Sequence, residues 1–156
     1  MIQLPTVSGK NLLRQKMVFP RDFAGDINLV FIAFQRWHQD QVDTWVPFAE
    51  KMASALPTFH YYEFPTVYQM NRLSQTFLNE GMRAGIPDTG TRGRTVTLYM
   101  DKRPFRQALA IPDESNIAVI LFDRQGQVLW RSSGAYSVEK GEDLQTAVSE
   151  IAVNQI

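Results

Sequence analysis

Residues 27–34, INLVFIAF, form a nearly unbroken apolar run, the pattern of a strand buried on both faces of a sheet. The period then changes. Val42, Trp45, Val46, Ala49, Met52, Ala53 and Leu56 recur at helical spacing and predict an amphipathic helix over 38–56. Pro47 lies inside it, removes one backbone donor and is expected to kink it. TFHYYEF (58–64), between Pro57 and Pro65, predicts an aromatic strand. Its alternation sets Phe59 and Tyr61 on the face opposite His60 and Tyr62.

Further along, Leu73, Phe77, Leu78 and Met82 predict a helix over 68–84, and GIPDTGTRGR (85–94) reads as a breaker-rich loop. TVTLYM (95–100) predicts a short strand and KRPFRQALAI (102–111) a helical turn. NIAVILFD (116–123), the turn RQGQ (124–127) and VLWRSSG (128–134) predict a hairpin. A last helix follows over 138–154, with Val138, Leu144, Val148, Ile151 and Ala152 inward. Residues 1–26, punctuated by Pro5, Gly9, Pro20 and Gly25, read as an arm with little regular structure. There are no repeats or linkers, so 1–156 is expected to be a single domain.

The order is β-α-β-α-β-α-β-β-α, an α/β fold with a central mixed sheet flanked by helices. Right-handed crossover predicts that 27–34 and 58–64 are adjacent and parallel, in one sheet with 116–123 and 128–133.

Composition narrows the chemistry. Sixteen basic and sixteen acidic residues give zero formal charge, which does not support a basic nucleic-acid binder. With no cysteine, thiolate nucleophiles, disulfides and cysteine zinc sites are excluded. His38 and His60 are the only histidines, too few to suggest a metal centre. No stretch approaches the ~18 apolar residues of a membrane span, and the start lacks a signal-peptide pattern. The expected location is the cytoplasm, and no cofactor is expected.

Three segments carry a resemblance. FPRDFAGDINLVFIAF (19–34) resembles the entry and first core strand of thioredoxin-like proteins of the peroxiredoxin and thiol-reductase kind. WHQDQV (37–42) stands where their WCxxC motif is expected, and VILFDRQGQVLW (119–130) resembles their late hairpin. The likeness covers most of the chain except an insert at 66–115. A thinner resemblance, through Asp123, Arg124, Val128, Trp130 and Gly134, is to the mitochondrial ATP-synthase assembly factors of the same fold. The departures matter more. The cysteine positions are occupied by His38 and Gln41, or by Gln39 and Val42, depending on register. Ile117 stands where the family has its cis-proline. The resemblance therefore implies a thioredoxin-like fold without thiol-disulfide or peroxidase chemistry.

Two sets of residues are candidates for binding. Trp37, His38, Asp40 and Gln41 open the first helix directly after a buried strand, where unpaired N–H groups and partial positive charge favour anions. The plainer alternative is that Asp40 caps the helix and His38 is solvated. Arg83, Arg92 and Arg94 share a glycine-rich segment that matches no phosphate-loop motif but can clamp a carboxylate; a surface loop is the alternative. Lys102, Arg103 and Arg106 either extend a basic face or pair with neighbours. The aromatic residues of 58–64 are expected in the core rather than on a nucleic-acid platform. These features predict a binding or assembly module for a protein partner or a small anionic ligand. The alternative is a small-molecule enzyme with His38 (or Asp40) in acid–base chemistry and the loop arginines holding an anion.

Overall fold

The structure, a computed structural model, describes residues 2–67, 80, 82 and 89–154. Among these, seven strands form one sheet: β1 (Val7–Asn11), β2 (Lys16–Phe19), β3 (Ile27–Ala33), β4 (Phe59–Val67), β5 (Val96–Tyr99), β6 (Ala118–Asp123) and β7 (Val128–Ser133). Their order across the sheet is β2-β1-β5-β4-β3-β6-β7. The helices are α1 (His38–Ala55), α2 (Thr89–Arg94), α3 (Lys102–Ala108) and α4 (Val138–Asn154).

As the hydrophobic pattern predicts, β3 and β4 are adjacent and parallel, with Ile27 opposite Phe59 and Ala33 opposite Pro65. β6 runs antiparallel on the other side of β3, and β7 returns beside it. The hairpin turn is built by Asp123, whose Oδ1 accepts from the N–H groups of Gln125 and Gln127 at 2.9 Å each. Gly126 takes the positive φ of 83° that the tip requires.

Two core layers result. One side gathers Val30, Ile32, Tyr62, Phe64, Leu98, Ile120 and Phe122 with Phe19 and Phe23 from the amino-terminal segment. The other packs Leu29, Phe31, Phe59, Tyr61, Val119 and Leu121 under Trp45 of α1 and Leu144 of α4. Trp45 Nε1 donates to the Gly134 carbonyl at 2.9 Å, which ties α1 to the chain leaving β7.

Four expectations need correction. Residues 1–26 are not an irregular arm. They contain the β1–β2 hairpin, which pairs with β5 through Lys10–Thr97 and Asn11–Val96. Gly9 permits that approach, since a Cβ there would lie 2.2 Å from the Thr97 carbonyl oxygen. β2 has its outer edge closed by its own chain: Val18 N–H donates to Asp22 Oδ2 at 2.7 Å, and Asp22 N–H to the Val18 carbonyl at 2.8 Å. Second, Pro65 does not end β4. It falls where pairing passes from β3 to β5, at Thr66–Leu98 and Val67–Tyr99. Third, 89–94 is helical rather than a loop. Thr95 closes it through N–H and hydroxyl bonds to the Thr91 carbonyl at 3.1 and 2.8 Å, and Asn11 Nδ2 holds the Gly93 carbonyl at 3.2 Å. Fourth, Val138 is exposed rather than inward. The helix expected over 68–84 lies outside the described residues apart from Glu80 and Met82. Among the described residues no helix is long and apolar enough to cross a membrane.

Candidate functional site

β3 delivers the chain to the junction where the resemblance places a lost thiol pair. Trp37 precedes α1 in a helical conformation (φ −70°, ψ −14°), and no side chain caps the helix. The N–H groups of His38, Gln39 and Asp40 instead donate to the carbonyls of Gln35, Arg36 and Trp37 at 3.1, 3.4 and 3.1 Å. Neither of the two alternatives, unpaired N–H groups open to an anion or an Asp40 side-chain cap, is therefore found at this helix start. Trp37, in the N-cap position, is itself helical and its indole carries no oxygen that could accept from the first turn. Asp40 is exposed in the first turn, where its negative charge complements the positive end of the helix dipole.

His38 is not solvated. It is 0% exposed, and its Nδ1 accepts from the N–H groups of Phe34 and Gln35 at 3.0 and 3.3 Å. Two donors at Nδ1 assign the ring proton to Nε2. Nε2 is buried, turned toward the backbone carbonyls of Ser115 and Glu114 without reaching hydrogen-bond geometry. Burial pushes the imidazole below its ordinary pKa, and the ammonium of Lys102 adds to this. The carbonyls of Ser115 and Glu114 and the Glu114 carboxylate pull the other way. A local pattern favours a surface histidine at a helix start. The inward turn comes from a distant segment that roofs the junction.

That segment is the stretch from α3 to β6. Lys102 Nζ, buried, donates to the Phe34 carbonyl at 2.7 Å and to Glu114 Oε1 at 3.3 Å. Arg106 lies 3.4 Å from the other Glu114 oxygen. Lys102 and Arg106 are thus paired with a neighbour, as the plainer reading of that basic run expects. Gln41 bridges the same two halves: its Nε2 donates to Asn116 Oδ1 at 2.7 Å and its Oε1 accepts from the Ile117 N–H at 2.9 Å. In the register that sets His38 and Gln41 at the cysteine positions, one of those positions is therefore hydrogen-bonded to the residue at the proline position. Trp37 stays outside this network, 53% exposed, with its ring edge-on to His38 at 4.5 Å.

The loop arginines do not converge on His38 as far as the described residues go. Arg94 donates to the Tyr61 hydroxyl and lies over the Tyr61 ring at 4.3 Å. Arg83 and the Arg92 side chain lie outside the described residues. Sequence reasoning missed Glu63, 4% exposed on β4. It accepts from Gln39 Nε2 at 3.2 Å and Thr95 Oγ1 at 3.3 Å. Burial pushes its carboxyl above the usual range, with Asp43 adding and with Gln39, Thr95 and Arg94 opposing. The signal was present: period-two alternation puts Glu63 on the face of Phe59 and Tyr61, so an acid stood at an inward position. Among the described residues no group of three or more histidine, aspartate or glutamate side chains could hold a metal ion.

No family model matches the chain, and no curated protein matches it in sequence. Solved structures do. It is similar to the pneumococcal exposed lipoprotein thioredoxin of Streptococcus pneumoniae, with 12% identity and a TM-score of 0.58 over 93% of this chain and 99% of that one. It is similar to yeast Sco1 with copper bound, with 13% identity and a TM-score of 0.62 over 96% and 94%. BsSco, a member of the Sco family of cytochrome c oxidase assembly proteins, matches at 10% identity and a TM-score of 0.58 over 95% and 94%. At such identities the likeness speaks for the fold. The chain has a degenerate thioredoxin-like fold and contains no cysteine.

Proposed function

We propose that this chain is a non-redox binding module that receives an extended segment of a protein partner on the edge formed by Trp37, Gln41 and Asn116. The observation that carries the reading is Trp37, a large aromatic ring 53% exposed above a junction that is otherwise internally bonded. Exposed tryptophans on rigid supports are the residues that dominate interface energies. A peptide is favoured over a small anion because the first N–H groups of α1 already have carbonyl partners. The enzymatic alternative is disfavoured by His38, whose ring is buried and whose Nδ1 is occupied by backbone donors. An assembly role is compatible with the description of BsSco.

The test is a thermal-shift screen of extended peptides, with Trp37→Ala as the comparison. Substitution should weaken any hit by about tenfold or more and leave the unliganded melting temperature unchanged. Hits that bind the variant equally well would refute the site. In parallel, purified protein should reduce no insulin disulfide. Turnover that persists after contaminating thioredoxin is removed would overturn the non-redox part.

A further inference from the structure

We infer that His38 is a proton-operated lock on the β3–α1 junction: neutral, it holds the turn that presents Trp37, and protonated it must release that turn. The inference rests on the binding reading only for its functional meaning, since the lock itself is a matter of hydrogen-bond valence. Nδ1 has one lone pair, and the N–H groups of Phe34 and Gln35 both point at it, at 3.0 and 3.3 Å. An imidazolium carries a proton on that nitrogen, and donor would face donor. The turn and the charged ring exclude each other.

The surroundings reinforce this. Phe34 is clamped from both sides, by His38 at its N–H and by Lys102 at its carbonyl, 2.7 Å away. Phe34 is itself buried, so losing the His38 bond leaves its donor without water, the costly way to break a hydrogen bond. The charged groups acting on the ring are Lys102 from α3 and Glu114 from the stretch before β6. Lys102 repels an imidazolium. Glu114 would attract it, but its two oxygens already serve Lys102 and Arg106, at 3.3 and 3.4 Å. From the residue before α1 the adjoining group is the Trp37 ring, 4.5 Å away, and just past β3 the Phe34 ring at 6.4 Å. None of these offers a second counter-charge. The open turn therefore takes up the proton more readily than the closed one. The closed form is fully favoured above the ordinary imidazole range, near pH 6.5, and loses ground as pH falls below it. Because Trp37 is covalently next to the lock and in ring contact with it, the exposed indole loses its fixed pose when the turn opens.

The experiment is amide hydrogen exchange by NMR at Phe34 and Gln35, corrected for the intrinsic effect of pH, from about pH 8 to about pH 5.5. In the wild-type chain, protection at these two amides should fall severalfold, to a limit of about tenfold, while the centre of β3 stays protected. His38→Asn places a non-titrating oxygen where Nδ1 stands and should make protection independent of pH. Identical pH courses in the two proteins, or undiminished wild-type protection at the acid end, would overturn the inference. Should the variant not fold, the 15N shifts of the wild-type ring decide: Nδ1 must be the unprotonated nitrogen, and must titrate together with the Phe34 and Gln35 amides. A different tautomer, or amides that ignore the titration, likewise ends the idea. Peptide binding enters none of these readouts, so a failed Trp37 site and a failed lock are distinguishable.

Discussion

Strand β4 sends Tyr62 and Phe64 to one side of the sheet and Tyr61 and Glu63 to the other, and the two sides are held by different means. On the first side Phe19 packs against Phe23, Tyr62 and Phe64 with ring centroids 5.0, 5.3 and 4.9 Å away, and Phe23 stacks on Phe122 at 5.9 Å. This is aromatic packing with little for a proton to act on. On the second side Trp45 sits among Phe31, Phe48 and Tyr136, but its N–H is committed to Gly134, and a buried carboxyl lies farther along the same face of β4. Around Phe19 and Phe64 the first side is sensitive to shape alone. The other is sensitive to shape and to protonation.

The largest expected effect is on the aromatic side. Phe64→Ala should cost about 3–5 kcal/mol in denaturant unfolding, by the same amount in mild acid and mild base. A cost that changed strongly with pH would break the contrast. Glu63 should behave oppositely. Its carboxyl is raised by burial, so the folded state holds the proton more tightly than the unfolded chain. The stability this contributes is whole below the ordinary carboxyl range and is lost as pH rises through the raised value. Glu63→Gln should abolish that slope. The two unfolding curves should not run parallel from acid to neutral pH, the variant gaining relative to wild type as pH rises. Parallel curves would show that the carboxyl is indifferent to folding. Trp45→Phe keeps a ring but orphans the Gly134 carbonyl, and should cost about 1–3 kcal/mol at any pH. The smallest effect belongs to the surface: Arg124→Ala, which removes the half-exposed 2.8 Å pair with Asp26, should change stability by about 0.2–1 kcal/mol. A loss as large as that of Phe64→Ala would mean that the backbone carbonyls Arg124 also holds, at Phe23 and Ala24, anchor the aromatic side.

What the sequence reveals follows the same division. The central strands are legible because burial on both faces leaves nearly unbroken apolar runs, as in Ile27–Ala33 and Ala118–Asp123. The β1–β2 hairpin is not. Its alternation is interrupted by Gly9, small because a neighbouring backbone is close, and by Asn11, buried because its Oδ1 accepts from the N–H groups of Leu13 and Gln15 at the turn. Polar residues doing backbone work look like loop residues. At the junction, WHQDQV marks the right place, and the contact between Gln41 and Ile117 joins two positions that the resemblance singles out separately. The direction in which His38 faces is illegible locally, because Lys102 and Glu114 arrive from the far side of a long stretch of chain.

The self-closed outer strand β2 bears on growth rather than on binding. A sheet can lengthen without limit when its last strand offers open N–H and C=O groups to the next molecule. Here Asp22 occupies both groups of Val18, and a neighbour would have to evict a carboxylate to dock. Arg21 and the Val18 N–H hold that carboxyl below its usual pKa, so the closure survives into acid where an ordinary aspartate would begin to lose its charge. At this margin one side chain and its own backbone N–H occupy the groups that a further strand would need at Val18.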